Sequence, residues 1–516
     1  ELWHWSFEKE FAVISDYTYE FPLTSACFIL SVEDDLNSIF EAIKTESRIF
    51  KFGAGSGINM SSLRGRGESL SGGGTSSGLL SFLEVFDKAT GAIKSGGTTR
   101  RAASMRILDD THPDLIEFIE WKAKEEIKAR ALISQGYSSE FEGESYKTVS
   151  GQNSNNSVRL SNKFMKAVED DLDWTLLNVK DLSVSKIMKA REILNIISSA
   201  IHTCGDPGIQ FSDTIYDWNT ASNTCEIRSS NPCSEIFTLD NSACNLSSIN
   251  LIKFISVDQN GNTVFDLNSF KQVIHILVVA QDILIDYSSY PTSEICKNSH
   301  NYRPIGIGFS NVGGFLMSLG LPYSSQESNS IMSCLFSCLT SSAYSTSMQL
   351  SELFGSFKYF TENRFSFIKV IDKHKNSLDS VLNEKSSIYL YNFESLLEFS
   401  KALFLTISKC LKNGIGVRNS NVTMSAPTGT IGLLMDCDTT GIEPVFSLST
   451  YKKLSGGGSI KSLCTSMFSA LKSLSYLKDP NFDFESFKKY VFEHNSVVGA
   501  PYLKSEHYSV FDTAIP

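Results

Sequence analysis

The pentapeptide Asn231-Pro232-Cys233-Ser234-Glu235 places a thiol between an amide and a carboxylate, with a proline stiffening the turn. Two further thiols stand in small-residue contexts: Cys244 in Ser242-Ala243-Cys244-Asn245-Leu246, and Cys27 in Ser25-Ala26-Cys27-Phe28. A carboxylate two residues from a thiol disfavours the thiolate, so a plain thiolate nucleophile is poorly served. The arrangement suits one-electron chemistry better. A neutral thiol would lose a hydrogen atom beside a base that takes a hydroxyl proton from a polyhydroxy substrate. For a lone cysteine, a buried structural thiol is the ordinary reading. It is the reading for Cys204, Cys225, Cys296, Cys334, Cys338, Cys410, Cys437 and Cys464.

Glycine-rich stretches form a second group of candidates. Gly53-Ala54-Gly55-Ser56-Gly57 is not a dinucleotide fingerprint, because its third glycine comes one residue too soon. Ser71-Gly72-Gly73-Gly74-Thr75-Ser76-Ser77-Gly78 follows, then Lys94-Ser95-Gly96-Gly97-Thr98-Thr99-Arg100-Arg101. Each alone reads as a tight turn. Three so close together, the last with two arginines, point towards nucleotide phosphates. Ala426-Pro427-Thr428-Gly429-Thr430-Ile431-Gly432 reads either as an ordinary helix start or as an anion site at a helix N-terminus. No His-Glu-x-x-His or Cys-x-x-Cys metal pattern occurs.

The elements that must position these residues alternate between helix and strand. Residues 35–46 read as an amphipathic helix, apolar at Leu36, Ile39, Phe40 and Ile43, and 79–93 as a second. Ala102 to Leu108 reads as a buried strand, and Asp110-Thr111-His112-Pro113 as the opening of a helix through 129. Alternation continues at 185–203, 207–212, 265–289, 305–320 and 325–352, which favours an α/β fold. Residues 361–400, rich in lysine, serine and asparagine, read as a peripheral insertion.

The 516 residues allow about two to four domains, or one large barrel with insertions. With 41% apolar and 20% charged residues the composition is that of a soluble globular protein. A formal net charge of −11 argues against a general nucleic-acid or anionic-membrane surface. Eleven scattered cysteines suggest a reducing, cytoplasmic compartment. The chain starts at Glu1 without a signal-peptide layout, and no apolar run would span a bilayer.

Taken together, these motifs resemble the catalytic subunit of ribonucleotide reductases. Asn231-Pro232-Cys233-Ser234-Glu235 is similar to the finger loop that carries the family's thiyl-radical cysteine. Further matches fall in family order: Ser25-Ala26-Cys27 with Val32-Glu33-Asp34-Asp35, Lys94 to Ala103, Gly205-Asp206-Pro207-Gly208-Ile209-Gln210-Phe211, Tyr302-Arg303-Pro304-Ile305-Gly306, Ala426 to Ile431, and Asp438 to Pro444. The wording looks most like the adenosylcobalamin-dependent branch, class II. The class I large subunit, which takes its radical from a separate protein, and a non-catalytic nucleotide-binding derivative are the alternatives.

The resemblance implies a ten-stranded α/β barrel of two antiparallel five-stranded parallel halves, with a central finger loop. It covers residues 23–516 and leaves 1–22 as a divergent N-terminal segment without the family's Pro-Thr and Asn-Ala-Gly residues. It implies that Cys233 becomes the thiyl radical, Glu235 the base and Asn231 the hydroxyl-binding amide. Cys27 and Cys244 would be the redox pair. Ser25, Ala26, Ala426, Pro427, Thr428, Gly429 and Thr430 would bind substrate. Asp34, Leu36, Arg64, Gly96, Gly97 and Arg100 would bind a deoxynucleoside triphosphate effector. The loops at 71–78 and 95–101 would relay the effector's identity. A ribonucleotide substrate, adenosylcobalamin, a homodimer and a thioredoxin-like reductant complete the expectation, with no resident protein-bound metal site. The sequence shows no N-terminal ATP cone, and it ends before the family's last barrel elements and cysteine-pair tail. It therefore reads as truncated at both ends.

Overall fold

The computed structural model describes residues 3–5, 22–93, 102–140, 143–257, 259, 263–382, 393–453 and 459–514. Its main sheet has eight strands: β1 (Trp3–Trp5), β2 (Cys27–Leu30), β3 (Gly55–Asn59), β4 (Ser104–Asp109), β5 (Asn155–Leu160), β6 (Gly208–Phe211), β7 (Ser242–Asn250) and β8 (Ile305–Ser310). The spatial order is β1-β7-β2-β3-β4-β5-β6, with β8 also paired to β7. Strands β2 to β6 are parallel neighbours throughout. Strand β7 runs antiparallel to β2 over residues 242–244, then parallel to β8 over residues 245–250. Thr423 extends the second array by a parallel bridge to Ile307. A five-stranded parallel array thus meets a second parallel array of opposite direction at β7.

Buried strands read as apolar runs because both faces are covered. All four residues of β2 and all six of β8 are buried. Helices α1 (Leu36–Lys51), α2 (Leu79–Ala92) and α3 (Leu115–Ser134) connect and cover the first array. Asp35 caps α1 by accepting from the backbone N–H groups of Asn37 and Ser38. The inward stripe of α1 is Ile39, Ala42, Ile49 and Phe50, whereas Leu36 and Phe40 are exposed. The helix expected to open at Asp110 begins at Leu115. Asp114 precedes it but does not cap it; its carboxylate accepts instead from the backbone of Arg66 and Leu79.

A larger core lies behind the second array. It is built from α4 (Leu267–Asp286), α5 (Gln326–Phe354), α6 (Phe360–Leu382) and α7 (Phe393–Lys412). The stretch 361–400 falls on these last two helices and on undescribed residues between them. Phe367, Ile371, Leu378, Phe393, Leu396 and Leu397 are buried in this core, while the polar composition comes from the outward faces. Each such side chain contributes about 1.5–3 kcal/mol on burial. Among the described residues no helix is long and apolar enough to cross a membrane.

Candidate active site

The segment 227–236 is held by side chains and glycines from across the first array. Arg159 of β5 donates to the Ile227 carbonyl at 2.7 Å, and Asn59 of β3 to the Arg228 carbonyl at 2.8 Å. Asn155 of β5 donates to the Pro232 carbonyl at 2.9 Å. Gln210 of β6 donates to Ser230 and Ser234, and Asn231 reaches Cys27 of β2. In a flat sheet β2 and β6 would lie about 19 Å apart, four inter-strand spacings. One short segment touching both requires the sheet to curl around it as a half-barrel.

Glycine makes that contact possible. A Cβ on Gly57 would sit 1.7 Å from the Ser230 carbonyl oxygen, and one on Gly55 would sit 2.7 Å from Pro232 Cγ. The first glycine stretch is therefore not a phosphate loop. Gly55 and Gly57 lie on strand β3, where the absent side chains admit the Cys233 segment. Gly306 and Gly308 of β8 do the same for Met424, since a Cβ on Gly308 would meet the Met424 carbonyl oxygen at 2.5 Å.

The thiol loop closes on itself. The backbone N–H of Ser234 donates to the Asn231 carbonyl at 3.1 Å, and that of Ile236 to Asn231 Oδ1 at 3.0 Å. Ser234 adopts φ 59°, the left-handed region. Asn231 is 1% exposed, whereas Cys233 is exposed at the tip.

The other two thiols meet behind it. Cys27 of β2 is the direct cross-strand partner of Cys244 of β7, and both are buried, reduced thiols. Asn231 Nδ2 donates to Cys27 Sγ at 3.1 Å, and Cys27 Sγ donates to Glu235 Oε1 at 3.8 Å. Both polar residues that flank Cys233 in sequence thus converge on Cys27. Burial first, then the negative charge of Glu235, pushes the Cys244 thiol far above its ordinary range, so it is neutral at pH 7.

Ala26, Cys27, Cys244, Ile236, Met424 and Ala426 form one small buried cluster. It joins the redox-pair candidates to the 426–430 segment. Ser25 is buried and donates to Asn245. Thr428 is buried at φ 48°, sharing a 2.8 Å hydroxyl contact with Ser310 and accepting from the Gly441 N–H at 2.6 Å. A short helix, Gly429–Leu434, starts there; Pro427, Gly429 and Thr430 are exposed, and a Cβ on Gly429 would meet open space. Glu235 and Cys244 also line a cavity of about 280 Å³ with Ile215, Trp218 and Phe237.

Asp34, Leu36 and Arg64 come together elsewhere, lining a cavity of about 610 Å³ with Gly72, Gly73 and Phe82. Arg64 Nε donates to Asp34 Oδ2 at 2.5 Å, and Nη1 to the Ser69 carbonyl at 3.0 Å. The second glycine stretch is a turn between the bridged residues Ser69 and Thr75. Gly96, Gly97 and Arg100 lie outside the described residues.

In the sequence, Gln210, Asn155, Asn59, Arg159 and Met424 carry no assigned role. The two Gly-x-Gly pairs, at strand period, were the available signal for close backbone approach.

Residues 25–516 match the family described as ribonucleotide reductase, barrel domain. The chain is 41% identical over 514 residues to the vitamin B12-dependent ribonucleotide reductase of Rhodopirellula baltica, covering 99% of this chain and 48% of that protein. It is 39% identical over 497 residues to the protein of the same name from Streptomyces coelicolor, covering 95% and 50%. It is 30% identical over 435 residues to the vitamin B12-dependent ribonucleoside-diphosphate reductase of Mycobacterium tuberculosis, covering 84% and 51%. The chain spans about half the length of the curated relatives it matches.

Proposed function

The chain belongs to the ribonucleotide reductase barrel-domain family, and on that premise we propose that it is the catalytic barrel of an adenosylcobalamin-dependent ribonucleotide reductase. The observation that carries the reading is the Cys27–Cys244 cross-strand pair, with Asn231 and Glu235 of the Cys233 loop converging on Cys27. The segment 227–236 is then the finger loop of a ten-stranded barrel whose first parallel half is β2 to β6.

The donor set fits an external radical source. Cys233 is exposed at the loop tip, whereas Cys27 and Cys244 are buried, so the tip thiol is the approachable one. Bound adenosylcobalamin supplies the one-electron oxidation of the Cys233 thiol. Cys233 then takes the 3′ hydrogen atom of a ribonucleotide. Glu235 takes the 3′ hydroxyl proton as general base, and Asn231 holds the sugar hydroxyls in place. The 2′ hydroxyl leaves as water. Cys27 and Cys244 give two electrons and two protons and end as a disulfide; Glu235 returns its proton and Cys233 its hydrogen atom to C3′, and a thioredoxin-like dithiol then reduces the disulfide. For this to happen Asn231 and Glu235 must turn from Cys27 to the substrate.

The exposed Pro427, Gly429 and Thr430, with Ala426 and Thr428 beneath, suit the substrate phosphates, and Ser25 and Ala26 complete the floor. The cavity of Asp34, Leu36 and Arg64 suits a deoxynucleoside triphosphate effector, with Gly96, Gly97 and Arg100 on the relay loop. Exposed Leu36, Phe40 and Val85 on α1 and α2 support a homodimer. A cytoplasmic setting keeps the thiols reduced.

The test is turnover of a ribonucleoside diphosphate or triphosphate with adenosylcobalamin as the only radical source and a dithiol as reductant. Activity that instead requires a metal-containing partner subunit would replace this reading with class I.

A further inference from the structure

The segment Gly205 to Phe211 has no part in the reaction above, yet it delivers one buried amide to the thiol loop. Gln210 is 4% exposed. Its Nε2 donates to Ser230 Oγ at 2.8 Å and to Ser234 Oγ at 3.1 Å, one hydroxyl on each side of Cys233. Ser230 Oγ donates to the Asn231 carbonyl at 3.1 Å, which leaves its lone pairs for the amide and fixes the amide's orientation. Gln210 Oε1 is buried and accepts no hydrogen bond among the described residues.

A buried acceptor without a partner costs free energy that an apolar side chain of similar shape would not. One half of the Gln210 amide is thus satisfied and the other is not. What the glutamine provides is a double tether across the loop. Ser234, one of its two anchors, holds the left-handed φ of 59° that surrounding structure must enforce.

The geometry points to Gln210 as the positioning residue that fixes the Cys233 loop against β6, resting on the reading of Cys233 as the reacting thiol. Its place in the chain also ties the loop to the cavity beside Glu235 and Cys244. Gln210 leads directly into the helix Ser212–Asp217, whose Thr214 and Ile215 line that cavity with Trp218.

The experiment is hydrogen exchange on the full chain, comparing wild type with Gln210→Leu and with Ser234→Ala. The second variant removes one anchor and serves where the first fails to fold. Exchange at the Ser234 and Ile236 amides is expected to quicken about fivefold in each variant. In adenosylcobalamin-supported turnover kcat should fall with KM unchanged. Unaltered exchange at 231–236 overturns the tether. So does acceleration spread evenly over β3 to β6 with a lower melting temperature, which marks a merely structural residue. A wild-type chain without turnover overturns the proposed reaction instead, while the exchange comparison still decides the tether.

Discussion

Cys27 and Cys244 stand directly opposite each other across the antiparallel ladder between β2 and β7. Such partners have Cα atoms about 4.5–5.5 Å apart, within the roughly 4.4–6.8 Å that a disulfide spans. Mild oxidation with diamide should therefore join these two among the eleven cysteines, seen as one cross-linked peptide pair by mass spectrometry and reversed by dithiothreitol. Cys27→Ser or Cys244→Ser should remove the cross-link and limit turnover with dithiol reductants to a single round at most. Full multiple turnover in either variant would take the pair out of the mechanism.

Cys233 differs from both in being exposed. The loop's shape is held by hydrogen bonds of Asn231, Ser234 and Gln210. Cys233→Ser should leave folding stability within about 0.5 kcal/mol of wild type in a urea titration, while deoxynucleotide formation disappears. Turnover that persists in the serine variant would refute the thiyl role.

Cys27, Cys233 and Cys244 stand out in the sequence because residue type and local context mark them, and the structure brings Cys27, Cys244 and the Cys233 loop together. The α/β alternation was legible because buried strands such as Ile305 to Ser310 and long apolar-patterned helices carry a local period. Gly53 to Gly57 misled for the opposite reason. What Gly57 accommodates is the Ser230 carbonyl, a contact far along the chain that no local window reports. The 361–400 stretch shows the same limit, since its composition describes the outward faces of helices whose inward faces fill the core. Nor does sequence state that Asn231 and Glu235 turn towards Cys27, because side-chain direction follows from the loop's closure.

Arg64 makes the proposed effector cavity testable. It bridges Asp34 and the Ser69 carbonyl beside the glycine turn. Charge-assisted hydrogen bonds contribute about 1.5–3 kcal/mol, so Arg64→Ala should weaken binding of a deoxynucleoside triphosphate at least about tenfold by calorimetry. Oxidative cross-linking of Cys27 to Cys244 should be unaffected. Wild-type affinity in the variant would separate this cavity from effector binding.

Gly57→Ala tests the passage of the loop over β3. The new Cβ would lie 1.7 Å from a backbone oxygen, which no side-chain rotation relieves. Either strand or loop must move, at a cost of about 3 kcal/mol or more. Gly72→Ala is the control, since a Cβ there meets nothing within 4 Å. A urea titration should show the first variant strongly destabilised and the second near wild type. Equal stability would mean that the loop does not lie on β3 in solution.

Asp110, at the end of β4, gives the fold a pH signature. Its carboxylate accepts from both the backbone N–H and the hydroxyl of Ser161, each at 2.7 Å. Burial outweighs these bonds and lifts its pKa from 3.8 to about 6, with the charges of Asp109 and Asp213 adding to the effect. Below about pH 4 the group is protonated in both folded and unfolded chains. Between about pH 4 and 6 the folded protein keeps a proton that the unfolded chain releases, so this group's contribution falls as pH rises through that window. At about 1.4 kcal/mol per pKa unit, the loss by neutral pH is on the order of 3 kcal/mol. Asp110→Asn keeps a neutral side chain of the same shape at every pH. Relative to wild type it should therefore gain stability by about that amount between pH 4 and pH 7, measured by urea titrations at both. A constant difference between the two proteins would mean that Asp110 is ionised in the folded state throughout the window.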